Sequence, residues 1–525
     1  MNGSEAMVRT LLQHEISVCF ANPGTSEMHF VSALDRLPRM RCVLGLFEGV
    51  VTGAADGYFR MAQRPAATLL HLGPGLGNGL ANLHNAKRAR SGIVNIIGQH
   101  AHDHIANDAP LTSDIEGIAR PMSNWVRTCA SAATAPTDVA DAVAVAANPE
   151  PGIASLILPA DVAWGDSPEQ DLARRAQRPL PRPADDIVER IAELLLSGRY
   201  PPESTALLLG GRAMRGEAPR LAGQIAARTG CRLLAETKNA RSERGAGRVN
   251  IPQIPYPIGP ALDTLKDIRY LVLVDARAPV AFFAYPETPR LLTHPECRID
   301  TLACPAEDVT SALVALNDAV KGSANEIAHL SPAARSAHGG NGASDDTPTS
   351  LSLGHALAGL LPEHAIIVDE AITTGRQLQS ACASAAPHDW LEITGGAIGY
   401  GLPCAVGAAT ACPDRKVVAI IGDGSAMYTV QSLWTMAREG LDITVVICAN
   451  RKYQILRGEL AAMGGPPPAA NAERMLSIDQ PALDWVQIAG GHGVPATRVS
   501  SASGFAHALG RALATPGPHL IEVLL

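Results

Sequence analysis

The run KVVAIIGDGSA, residues 416–426, narrows the fold more than any other feature of the chain. Its apolar stretch, 416–421, reads as a strand buried on both faces, which is the pattern of a parallel sheet. The strand ends on a glycine loop that holds Asp423 and Ser425. Residues 429–439 then carry helical spacing and stop at Gly440, a glycine that can end a helix in the left-handed conformation. A second strand, ITVVIC over 443–448, finishes at Ala449 and Asn450. A right-handed crossover in such a βαβ unit sets Asp423 and Asn450 beyond the carboxyl ends of two parallel strands, where open α/β sheets bind ligands.

Short apolar runs alternate with amphipathic stretches along the whole chain, so the predicted fold class is α/β, with mainly parallel sheets flanked by helices. A chain of 525 residues exceeds what one core organises, and three domains are expected. Two stretches interrupt the alternation: 164–185, which ends RPLPRPADD, and 320–352, which contains SAHGGNGASDDTPTS and has too little apolar surface to pack. Read as linkers, they leave domains over 1–165, 184–322 and 350–525.

Hydrophobic residues make up 46% of the chain and no run of about 18 is apolar, which predicts a globular protein without a membrane span. The first twelve residues show no charged-then-apolar leader pattern. A net charge of −8 without a basic stripe gives no footprint for nucleic acid. The ten cysteines are scattered without a C-x-x-C pair, which argues against a zinc ribbon or a disulfide framework and points to buried thiols in a reducing cytoplasm.

Chemically, a carboxylate, a carboxamide and nearby main-chain carbonyls are hard oxygen ligands suited to Mg²⁺, while a glycine loop lets backbone N–H groups approach phosphates. GDGS alone is equally a glycine turn after a strand. GDGS followed at this interval by asparagine, however, resembles the thiamine diphosphate-binding signature of the pyruvate decarboxylase and acetolactate synthase superfamily. The resemblance implies that Asp423, Asn450 and the carbonyl of Lys452 hold Mg²⁺, and that Gly422, Gly424, Ser425, Ala426 and Tyr453 line the cofactor. The signature usually ends Asn-Asn, whereas Ala449 precedes Asn450 here; the second asparagine is the one that matches the ligand.

Upstream, GGAIGYGLP resembles the segment on which that cofactor bends. The resemblance implies that Gly396 offers its carbonyl to the pyrimidine amino group and that Ile398 supports the bent conformation, although an isoleucine there can also be plain core. In DEAITTG, Thr373 matches a diphosphate contact.

In the first domain, CVLGLFEGVVTGAADGYFRMA reads as a strand, 42–46, leading into a helix that opens near Glu48. A carboxylate at a helix N-terminus has an ordinary electrostatic reason to be there. The segment as a whole resembles the family's glutamate pattern, which implies that Glu48 is catalytic and exchanges a proton with the pyrimidine ring. CFANPGTSE and LLHLGPGLGN resemble the matching loops of benzoylformate decarboxylase, the nearest branch. By that resemblance Thr25 binds the substrate carboxylate and His71 relays protons.

The branch's second histidine is replaced by Ala284 in RAPVAFFAYP, and the glutamate of pyruvate decarboxylases by Leu456 in NRKYQIL. The L-G-M-V run of acetolactate synthases is absent as well. His100, His102 and His104 with Asp103 invite a metal reading, yet no fourth ligand follows at a suitable spacing; the loop matches one that borders the family's active site, so a polar active-site rim or a solvated loop is favoured. The resemblance therefore implies a 2-oxo acid decarboxylase with some carboligase activity. Its alternatives are an acetolactate synthase-like ligase and a decayed, non-catalytic binding protein. The implied assembly is a homodimer at minimum and a homotetramer by expectation, with the cofactor between the first domain of one subunit and the last of another. The middle domain can be structural or hold FAD in relatives, and FAD is possible but not favoured here.

Overall fold

The computed structural model describes residues 1–170, 172, 179–332, 346–464 and 466–525. The first sheet contains β1 (Val18–Asn22), β2 (Arg41–Leu44), β3 (Ala66–Leu70), β4 (Ile93–Gln99), β5 (Trp125–Thr128) and β6 (Ile153–Pro159). They lie in the order β2-β1-β3-β4-β6-β5, every pair parallel. Every residue of β3, β4 and β6 is buried, which is why these strands read as unbroken apolar runs.

The middle of the chain contributes β7 (Thr205–Leu209), β8 (Arg232–Ala235), β9 (Ser242–Arg244), β10 (Tyr270–Val274) and β11 (Arg298–Ala303). Four of these make a parallel sheet in the order β11-β10-β7-β8. The third sheet contains β12 (Ile366–Glu370), β13 (His388–Glu392), β14 (Val417–Gly422), β15 (Ile443–Ala449), β16 (Ala496–Val499) and β17 (His519–Leu524). Its order is β16-β17-β15-β14-β12-β13-β9, and only β9 runs antiparallel. Residues from the middle of the chain thus cap the edge of the last sheet and cover backbone groups that would otherwise be open for pairing.

The first and third sheets share an apolar core through two crossing helices, Glu48–Ala62 and Gly401–Ala411. A side chain at Gly57 would overlap the carbonyl of Cys404, and one at Gly407 would overlap that of Ala54, so paired glycines let the two backbones touch. At the end of this contact Arg60 is buried. It binds Asp56 with two nitrogens (2.8 and 2.7 Å), the Tyr400 hydroxyl (2.8 Å) and the carbonyl of Glu392 (2.6 Å).

The βαβ unit forms as read, with one correction. The helix expected over 429–439 begins at Ser432. Before it the chain winds through a single turn, Asp423–Ala426, and a 3₁₀ turn, Met427–Thr429. Thr429 is diverted from helix packing because its hydroxyl donates to the carbonyl of Gly399 (3.0 Å). Gly440 ends the helix at φ 60°, as the glycine predicted. The strand expected over 42–46 is shifted to Arg41–Leu44. Parts of both expected linkers, 171, 173–178 and 333–345, lie outside the described residues. All ten cysteines are free thiols, and six are buried. No helix among the described residues is long and apolar enough to cross a membrane.

Candidate active site

Three adjacent strands of the first sheet, β2, β1 and β3, deliver Glu48, Thr25 and His71 at their carboxyl ends. Glu48 opens its helix and is buried. Its Oε2 accepts from the Asn78 amide (3.0 Å), and its Oε1 faces Gly75, where an added side chain would crowd it. Thr25 is exposed, and its hydroxyl has no hydrogen bond among the described residues.

His71 sits at the start of the Leu72–Ala89 helix, beside Leu72, whose φ of 46° is rare for a residue with a side chain. The imidazole Nδ1 lies 2.8 Å from Glu27 Oε2. Glu27 is in turn fixed by the N–H of Gly24 (2.7 Å) and the hydroxyl of Ser26 (2.5 Å). Only a glycine at 24 leaves room for the His71 ring. A buried carboxylate on Nδ1 fixes a proton on that nitrogen, and Nε2 has no hydrogen bond among the described residues. The sequence reading did not single out Glu27. The signal was there, since G-x-x-E is a capping pattern, and Glu27 accepts from the Gly24 N–H.

In the third sheet β12, β14 and β15 are neighbours, and their carboxyl ends bring together Thr373, the 422–426 loop and the 450–453 loop. Asp423 is buried and joins the two loops: Oδ1 accepts from Gly424 N–H (2.9 Å) and Oδ2 from Arg451 N–H (2.7 Å). Burial raises its carboxyl above the ordinary range, a cost that a bound cation offsets. The Asn450 carboxamide oxygen accepts from Lys452 N–H (3.2 Å), a turn within the loop. Tyr453 packs its ring on Gly424, where a side chain would collide with it.

This donor set fits a diphosphate-bound Mg²⁺. One carboxylate, one carboxamide and one carbonyl are hard oxygens for part of an octahedron, leaving positions for phosphate and water. Among the described residues no group of three His, Cys, Asp or Glu side chains is arranged to hold a metal ion.

The segment expected to bend the cofactor has the backbone for it, with Gly396 at φ 77° and Gly399 at φ 92°. Ile398 is half-buried at the margin of the shared core, so it both packs and faces outward. Beneath it Glu370 is buried and accepts from three successive N–H groups, of Gly399 (2.7 Å), Tyr400 (3.1 Å) and Gly401 (2.7 Å). The Leu72–Ala89 helix clamps the same segment. Asn82 donates to the carbonyls of Gly49 (2.8 Å) and Gly399 (3.2 Å), and Asn85 both donates to Ala397 O (2.8 Å) and accepts from Ala397 N–H (3.2 Å). Among the described residues no hydrogen bond joins Glu48 or His71 of the chain to the Asp423 or Asn450 loops.

Ala284 and Leu456 are both exposed, on the loop after β10 and on the Gln454–Ala462 helix. Phe282 reaches from that loop to Gly396, and Tyr256 and Tyr285 both donate to Glu459 on that helix. The three histidines do not converge. His102 pairs with Asp161 (2.8 Å), while the rings of His100 and His104 meet edge to face. At the carboxyl edge of the middle sheet, Asp275 accepts from Arg212 N–H and Glu236 from Arg277 N–H, so backbone donors that could cradle a phosphate there are already engaged.

The chain is similar to known proteins along its whole length. Residues 1–118 match the family described as thiamine pyrophosphate enzyme, N-terminal TPP binding domain, and residues 374–523 match its C-terminal TPP binding domain. A Mycobacterium tuberculosis protein provisionally named as the acetolactate synthase large subunit IlvX is 49% identical over 100% of this chain and 99% of its own length. Benzoylformate decarboxylase of Pseudomonas aeruginosa is 30% identical over 99% of this chain and 98% of its own. In fold, the chain superposes on the thiamine diphosphate-dependent 4-hydroxybenzoylformate decarboxylase of Rhodococcus jostii RHA1 with a TM-score of 0.82, at 24% identity over 100% of this chain and 99% of that one.

Proposed function

The chain belongs to the thiamine pyrophosphate enzyme family, and on that premise we propose that it decarboxylates a 2-oxo acid non-oxidatively, with carboligation as an accompanying outcome. One observation carries this reading. Thr25, Glu48 and His71 end three adjacent strands of one sheet, and Thr373, Asp423 and Asn450 lie where three adjacent strands of another end.

Thiamine diphosphate, when bound, supplies a carbon nucleophile and an electron sink for the carbon that bears the carboxylate. Asp423, Asn450 and the Lys452 carbonyl would hold Mg²⁺, and Thr373 with the Gly422, Gly424, Ser425 and Ala426 loop would take the diphosphate, with Tyr453 alongside. The Gly396 carbonyl and the Ile398 side chain would hold the pyrimidine end. Glu48 holds and returns a proton at its free Oε1. Thr25 donates its hydroxyl to the substrate carboxylate. His71, its Nδ1–H held by Glu27, takes up a proton at Nε2 and delivers it as general acid.

The functional unit is a homodimer at minimum and a homotetramer by expectation, in the cytoplasm. FAD is possible in the middle domain but not favoured, since the N–H groups of Arg212 and Arg277 at its sheet edge already donate to Asp275 and Glu236.

A second reading, an acetolactate synthase-like carboligase, is favoured by the name of the 49% identical relative. Leu456 and His71, which depart from that enzyme's pattern, weigh against it. Retention of Glu48, Asp423 and Asn450 weighs against a non-catalytic binding protein. A panel of 2-oxo acids, assayed with and without an acceptor aldehyde, separates the readings: aldehyde release without acceptor supports the decarboxylase, and condensation products alone support the ligase.

A further inference from the structure

The Leu72–Ala89 helix carries Asn78, Asn82 and Asn85 at spacings of four and three residues, which sets them on one face. Each amide is committed to the active site. Asn85 makes a two-way bond with Ala397, Asn82 bridges the carbonyls of Gly49 and Gly399, and Asn78 donates to Glu48 Oε2 at 3.0 Å. The helix therefore holds both the carboxylate and the backbone segment Ala397–Gly399 from a single rigid surface.

We infer that Asn78 is a positioning residue for Glu48, an inference that rests on the proposed role of that carboxylate. The two oxygens of Glu48 are not equivalent. Oε2 has the Asn78 amide as its donor, while Oε1 accepts no hydrogen bond among the described residues and abuts Gly75. An amide N–H on one oxygen pins the carboxylate plane and leaves the other oxygen to exchange a proton. Asparagine suits this position because it donates without bringing a charge. Aspartate of the same size would bring a second negative charge to hydrogen-bond distance, and leucine of similar volume would leave Oε2 without its donor. Asn78 is exposed, so neither substitution disturbs a packed core.

Two measurements on the same variants test the inference. In the thiamine diphosphate-loaded protein, exchange of the cofactor C2 proton for deuterium is expected to slow about tenfold or more in Asn78→Leu, the loss of one hydrogen bond to a charged group, and at least as much in Asn78→Asp, which sets a second carboxylate beside Oε2. Calorimetric affinity for thiamine diphosphate at fixed Mg²⁺ is expected to stay unchanged in both, which separates positioning of Glu48 from a general loss of the site. Wild-type exchange in both variants, while Glu48→Gln exchanges slowly, overturns the assignment of Asn78. Wild-type exchange in Glu48→Gln instead sinks the role of Glu48 itself.

Discussion

His71 Nδ1 lies 2.8 Å from Glu27 Oε2, a carboxylate with none of its side chain exposed. The pair fixes the imidazole so that Nε2 is the nitrogen available for proton delivery. Glu27→Gln keeps the shape but removes the carboxylate that holds Nδ1–H and stabilises the ring when both nitrogens carry protons, the form that gives a proton from Nε2. Turnover is expected to fall about tenfold to a hundredfold, the value of one charge-assisted bond. In a first-turnover experiment, both Glu27→Gln and His71→Ala should delay aldehyde release more than CO₂ release. If both steps run at the wild-type rate in both variants, His71 is structural.

Asp423 bridges the 422–426 and 450–453 loops through the N–H groups of Gly424 and Arg451. Asp423→Ala removes the only carboxylate proposed for the Mg²⁺ site, and thiamine diphosphate affinity measured by calorimetry at fixed Mg²⁺ is expected to drop by at least tenfold. Unchanged affinity would remove Asp423 from the site.

Arg60 and Asp56 form an ion pair with side chains 1% and 0% exposed, and Arg60 also ties the first domain to Tyr400 and Glu392 of the third. Arg60→Ala leaves Asp56 buried without its cation, a loss of about 3–5 kcal/mol. Denaturant unfolding of the variant should show a lowered midpoint and, because the contact joins two sheets, a broader transition. A midpoint within experimental error of wild type would contradict the packing described.

Burial pushes the His388 imidazole down to about 4 from its ordinary 6.5. The unfolded chain takes up this proton once the pH falls below 6.5, and the folded chain only near 4, so the associated stability is complete above 6.5 and is lost as pH falls through that window. The loss is about 3 kcal/mol at most, from a shift of this size. Comparing unfolding of wild type and His388→Asn between pH 7 and pH 4 isolates it. The variant should lose less stability on acidification, and equal losses would show that His388 titrates normally.

The parallel sheets were legible in the sequence because strands such as β3 and β14 are buried on both faces and carry few polar interruptions. So was the last glycine loop, since Asp423 and Asn450 end strands that lie side by side. The helix start at Ser432 was not legible, because Thr429 gives up helical packing for a bond to Gly399, 30 residues away. β9 was also hidden. Three residues, Ser242–Arg244, pair with His388–Trp390 across a large sequence separation, and no local periodicity announces such a strand. Glu27, Asn78 and Glu370 escaped notice for a related reason. Each acts on a neighbour already singled out, and short-range spacing does not reveal which carboxylate meets which histidine.

The most direct test of the account is CO₂ release from 2-oxo acids by the purified chain, with thiamine diphosphate and Mg²⁺ supplied or withheld. The account predicts that at least one 2-oxo acid loses CO₂ only when both are present and yields an aldehyde. With a saturating acceptor a 2-hydroxy ketone should form as well, and Glu48→Gln should suppress every product while still binding the cofactor. If the loaded protein releases no CO₂ from any 2-oxo acid, or if Glu48→Gln works as well as wild type, the proposed function is wrong.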